Sequence, residues 1–179
     1  MKARQAKAIL FVVLAACGGG SSGRSSGSAF RSGTTCGVAV TISGAASGAI
    51  KASDNPACLS QLSFGPGLDV AYLLPGAKDL KSIELRVTGV RAGETGTFLA
   101  DLGLKHADDR AWQAKGCMVT IAENRDVGPS ELNGERYHVE GKGSCPMPAS
   151  DGMGGSVTLG EFSFVAEISW NGGAAVDAG

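Results

Sequence analysis

Lys105 to Trp112 reads KHADDRAW and holds the densest group of side chains able to do chemistry. His106, Asp108 and Asp109 fall within four residues. An imidazole and two carboxylates at that spacing suit a divalent cation, or acid–base work in a tethered hydrolase. They equally suit a polar turn between two strands, where Asp bonds nearby backbone N–H groups, and the apolar alternation on both sides predicts that turn. The other histidine, His138, alternates with Tyr137 and Val139, which predicts a wet sheet face beside Arg136 and Glu140, solvated or salt-bridged. No GxSxG elbow occurs. Gly152 to Gly160, GMGGSVTLG, has close glycines but neither a P-loop lysine nor a following helical pattern, and reads as a turn entering a strand. The expectation is a chain with no catalytic residues, no metal centre and no cofactor.

The remaining binding chemistry is aromatic. Trp112, Trp170, Tyr72 and Tyr137 carry polar handles on large rings, which suits glycan faces and protein interfaces. Ten aromatics in 179 residues is sparse for a dedicated glycan platform. Spacing places Tyr137 and Trp112 in the core and leaves Trp170, at the end of the last strand, as the best candidate for an exposed ring. If a ligand face exists, Trp170, Trp112 and Tyr72 are its candidate residues.

What positions such groups begins at the N-terminus, MKARQAKAILFVVLAAC. Lys2, Arg4 and Lys7 precede nine apolar residues, Ala8 to Ala16. A spanning helix needs about 20 apolar residues, so this run reads as a cleavable export signal. Leu14-Ala15-Ala16-Cys17 resembles the lipobox of bacterial lipoproteins. The resemblance implies cleavage before Cys17 and acylation of that residue, which tethers the mature chain to a membrane. Gly18, in place of Asp, resembles the outer-membrane sorting pattern, so the implied address is the cell envelope at the outer membrane. Each buried CH₂ of an acyl chain contributes about 0.8 kcal/mol, and several chains together hold where one is marginal.

Gly18 to Thr35 is a Gly/Ser-rich stretch without apolar period. A flexible linker of this length spans roughly 20–25 Å. The expected organisation is a signal at 1–16, lipid attachment and tether at 17–35, one folded domain at 36–170 and a disordered tail at 171–179. Without Lys2, Arg4 and Lys7 the 16 basic residues fall to 13, against 17 acidic, a net charge of −4. The charges are mixed along the chain, and no basic stripe suits nucleic acid.

Removing Cys17 leaves Cys36, Cys58, Cys117 and Cys145, at spacings of 22, 59 and 28. Close CxxC pairs for zinc are missing, and an even count outside the cytosol reads as two disulfides. Pairing 117–123 antiparallel with 134–145 places Cys117 opposite Cys145, Val119 opposite Gly143 and Glu123 opposite Val139. That register joins two faces already apolar, and predicts Cys117–Cys145 together with Cys36–Cys58. The second bond would cross a hairpin that turns near Ala46-Ser47-Gly48.

Apolar residues recur with period two through nearly every segment. Strands are predicted at about 37–43, 48–53, 68–74, 80–88, 95–103, 110–114, 117–123, 134–142 and 156–169. The alternation switches phase near Gly160, which suggests a bulge or bend. Eight or nine short strands in this length predict an all-β antiparallel sandwich stapled by disulfides, with a closed barrel as the alternative. Gly96-Thr97-Phe98 and Val157 to Phe164 (VTLGEFSF), with the two Cys-bracketed stretches, resemble small all-β envelope lipoproteins. The reading is a lipid-anchored, non-catalytic module at the membrane surface that binds an envelope protein or glycan. A carbohydrate- or small-ligand-binding sandwich is the alternative, ahead of a hydrolase.

Overall fold

An apolar side chain at every second position buries one face of an extended chain and wets the other. Leu80–Thr88 shows the outcome: Ile83, Leu85 and Val87 are buried, while Glu84, Arg86 and Thr88 are exposed. The computed structural model describes residues 35–50, 57–60, 66–75, 77–131 and 134–170. The signal, Cys17, nearly all of the tether and the tail lie outside the described residues.

Ten strands form: β1 (Gly37–Gly44), β2 (Gly48–Ile50), β3 (Ala57–Ser60), β4 (Gly67–Leu73), β5 (Leu80–Thr88), β6 (Gly96–His106), β7 (Ala111–Pro129), β8 (Glu135–Ser144), β9 (Ala149–Ser150) and β10 (Ser156–Trp170). They pair in the order β2-β1-β10-β8-β7-β6-β5-β4-β3, with β9 beside β10 and β7. Every pairing is antiparallel.

The all-β class is as predicted, but the layers are not a pair of sheets. All ten strands belong to one sheet, and its apolar face forms a single core. With no helix among the described residues to cover that face, the sheet buries it by rolling onto itself, as barrels do. Alternation reports only that one face is dry; two facing sheets and one rolled sheet satisfy it equally. At the seam β10 lies against β3 and β4. There the Tyr72 hydroxyl donates to the Val165 carbonyl at 3.3 Å. The outer face carries Lys81, Glu84, Arg86, Lys105 and Lys115, all exposed, the reverse of a lipid-facing barrel. No helix of the described residues is long and apolar enough to cross a membrane.

Bulges explain where strand boundaries differ from expectation. The segments predicted at 110–114 and 117–123 are one strand, β7. Ala114 faces Leu102 and Cys117 faces Ala100, so β7 carries one extra residue. Gly116 sits there at φ +67°, and its N–H donates to Asp101 Oδ1 at 3.2 Å. The bulge resets the phase, so Trp112 and Ala114 before it and Cys117, Val119 and Ile121 after it all join the core. On β10 the register slips between Leu159 and Phe162, so the phase switch near Gly160 is also a bulge.

Both predicted disulfides form, Cys36–Cys58 and Cys117–Cys145. Val119 faces Gly143, as the register requires. The first bond takes a different path from the one predicted. The turn near Ala46–Gly48 joins β1 to β2, whereas Cys58 lies on β3 at the far end of the strand order. Cys36–Cys58 is therefore a clasp across the seam.

Candidate functional site

Past Ile121 the β7–β8 register slips again. Ile121 faces Gly141, but Glu123 faces Glu140, because β7 gains a residue at Ala122. This overturns the predicted pairing of Glu123 with Val139, which Asn124 takes instead. The cause is local: two consecutive residues, exposed Ala122 and half-buried Glu123, separate the buried positions Ile121 and Asn124. Asn124 turns inward, and its amide donates to the Arg91 and Glu94 carbonyls at 2.8 and 2.9 Å, which anchors the bulged segment to the β5–β6 loop.

The slip assembles a cluster on the outer face. His138 and Glu140 are two apart on β8 and share that face, and Glu123 stands opposite Glu140. One ligand-type atom from each of the three lies within 4.8 Å of the others. His138 lies on the expected outer face but is only 9% exposed there, so the ring is more covered than a wet face implies. Its ring makes no hydrogen bond or ion pair with any described residue, and neither does the Glu140 carboxylate. Glu123 Oε1 accepts from the Arg125 Nε–H, leaving its second oxygen for the cluster. Beyond it, Glu167 faces His138 across β10 and pairs with Arg136 at 3.3 Å. One imidazole and two carboxylates from neighbouring strands form a set able to hold a cation.

The KHADDRAW residues form the predicted turn between β6 and β7. The His106 N–H donates to the Arg110 carbonyl at 2.8 Å. His106 Nδ1 and Asp108 Oδ1 lie 2.6 Å apart, and Arg110 Nε donates to Asp108 Oδ2 at 2.8 Å. Desolvation alone would raise Asp108; hydrogen bonds from the Arg110 backbone, His106 and the Arg110 side chain outweigh it and hold the carboxyl below its usual range. Asp109, at φ +69°, is held low by its hydrogen bond with Lys81 and that lysine's charge. Both carboxylates thus pair with neighbouring cations at an exposed turn.

The three candidate ligand-face aromatics are core residues. Tyr72 and Trp112 are fully buried and Trp170 is 5% exposed. Trp112 packs edge-on against His106, and Trp170 against Tyr137, at centroid distances of 5.9 and 5.4 Å. This corrects the reading of Trp170 as an exposed ring: its inward parity on β10 decides its place, ahead of its position at the strand end. A shallow depression of about 240 Å³ lies outside β4–β7. Asp69 and Arg86, in its wall, pair at 2.7 Å.

No family model, curated protein or solved structure matches this chain.

Sequence reasoning missed Glu123 and Glu140. The pattern His138-x-Glu140 was a usable signal, since alternate residues of a strand share a face. Glu123 joins them only through the Ala122 bulge, and Ala carries no turn or bulge signature.

Proposed function

We propose that the chain is an exported, lipid-anchored and non-catalytic binding module of the cell envelope, held at the outer membrane through Cys17. One observation carries the reading. Cys36–Cys58 and Cys117–Cys145 use every cysteine beyond Cys17. Structural disulfides belong to oxidising compartments outside the cytosol, and the one cysteine left over ends a lipobox-like Leu14-Ala15-Ala16-Cys17. The non-catalytic reading draws on the KHADDRAW turn, whose Asp108 and Asp109 are committed to Arg110, His106 and Lys81. The partner in this reading is an envelope protein meeting the charged outer face. The buried rings remove the support for the glycan alternative.

Mass spectrometry of the membrane fraction tests the anchor. The expected N-terminal peptide begins at an acylated Cys17, and the Cys17→Ser variant loses that modification and leaves the membrane. An unmodified Cys17, or cleavage elsewhere, refutes the reading.

A further inference from the structure

We propose that Glu123, His138 and Glu140 form a Zn²⁺ site on the outer face of the β7–β8 pair. This goes beyond the envelope reading and does not rest on it. His138 supplies the first argument: the residue is nine-tenths buried, and its ring has no polar partner among the described residues. A neutral imidazole nitrogen with no protein partner is a ready zinc ligand, and the two carboxylates lie within reach of it.

Glu123 and Glu140 supply the second. They are directly opposite on neighbouring strands, an arrangement that like charges disfavour. Arg125 neutralises Glu123 from one side, whereas Glu140 has no cationic partner among the described residues. A dication between the carboxylates converts this repulsion into shared attraction.

Geometry supplies the third. The ligand atoms lie within 4.8 Å of one another. Tetrahedral zinc, with bonds of about 2.0–2.2 Å to nitrogen and oxygen, needs ligand atoms roughly 3.3–3.6 Å apart. Side-chain rotation has to close that difference, and the pairing of β7 with β8 already places all three ligands on one face. Three protein ligands leave a fourth position for water on the solvent side, as in zinc sites with an open position.

Donor chemistry selects the metal. Calcium and magnesium prefer oxygen-only shells, whereas zinc accepts imidazole together with carboxylate. The cysteines of the domain are held in disulfides and do not compete.

The test uses the full chain carrying Cys17→Ser, which removes the one thiol outside the disulfides. After chelator treatment, calorimetric titration with ZnCl₂ should give one ion per chain. Glu140→Gln and His138→Asn should each weaken binding roughly tenfold or more, while His106→Asn leaves it unchanged. If a variant fails to fold, NMR of the parent decides: Zn²⁺ should move the His138 ring resonances and leave those of His106. Failure of the parent to bind zinc, binding indifferent to Glu140→Gln and His138→Asn, or a response at His106 instead overturns the proposal. Acylation of Cys17 is read separately by mass spectrometry, so loss of either proposal leaves the other standing.

Discussion

The Phe164 ring lies over Gly141 on the neighbouring strand, where a β-carbon would stand 2.8 Å from its Cε1 and Cζ atoms. Phe162 covers Gly143 in the same way, with its Cζ 2.6 Å from the β-carbon position. Glycine is required at both places by close approach, since the ring occupies the space a side chain would take. The Thr120 carbonyl, also 2.8 Å from the Gly141 position, backs the ring with an atom of the sheet itself. Gly141→Ala should therefore cost about 1–3 kcal/mol or more in urea unfolding, as overpacking does. In a Phe164→Leu background the same substitution should cost less. Equal costs in both backgrounds would mean that the ring is not the obstacle.

Tyr72 makes the seam sensitive to alkali. Complete burial pushes its phenol far above the ordinary value, and its hydroxyl donates to the Val165 carbonyl. The unfolded chain releases this proton near pH 10 and the folded chain does not. The contribution of Tyr72 to stability is thus whole below about pH 10 and falls above it by about 1.4 kcal/mol per pH unit. Tyr72→Phe should lose about 1 kcal/mol at neutral pH through the missing hydrogen bond. It should also show a shallower fall in stability between about pH 9 and pH 11. Parallel pH profiles for the two proteins would contradict this.

The two disulfides should protect different parts of the roll. Cys36–Cys58 joins sequence positions 22 apart and clasps the seam; Cys117–Cys145 joins positions 28 apart and staples two paired strands. Loop entropy alone assigns each about 3–4 kcal/mol, an upper figure. The distinction lies in location. Replacing Cys36 and Cys58 with Ala should speed amide exchange in β3, β4 and the end of β10 that meets them. Replacing Cys117 and Cys145 should speed exchange where β7 meets β8. Hydrogen exchange read by mass spectrometry separates the two patterns, and the same pattern from both variants would deny the seam its separate clasp.

What was legible in the chain was the part that depends on neighbours in sequence. Val38, Val40 and Ile42, or Ile83, Leu85 and Val87, report their dry face by alternation alone. Cys117 and Val119 report their register because Cys145 and Gly143 complete it on the next strand. The phase switch at Gly160 was visible because glycine marks it. The partition of strands into layers was not legible, because alternation is the same for a sandwich and a roll. Nor was the seam, where Cys36 meets Cys58 and Tyr72 meets Val165 through closure of the whole sheet. The Glu123–His138–Glu140 cluster sits between these cases: His138 and Glu140 follow strand parity, and Glu123 depends on an unmarked bulge at Ala122.

The tryptophans permit the most direct check on what this domain does not bind through. Trp112 and Trp170 are buried, and neither indole N–H meets an acceptor among the described residues. Their emission should lie at short wavelength, resist quenching by acrylamide and stay fixed when soluble saccharides are added. An unpaired buried donor also weakens the case for each indole over a plain ring. Trp170→Phe, which removes one such donor while keeping an aromatic edge for Tyr137, should therefore cost less than about 3 kcal/mol, the lower end for removing a whole large ring from a core. Trp112 is packed with His106 at its edge and Arg110 above its face, 5.3 Å from the ring centre. Trp112→Phe should cost more than Trp170→Phe, because it loosens both the core and the KHADDRAW turn. Emission that shifts on adding a saccharide would restore the glycan-binding alternative and require at least one of these rings to reach solvent.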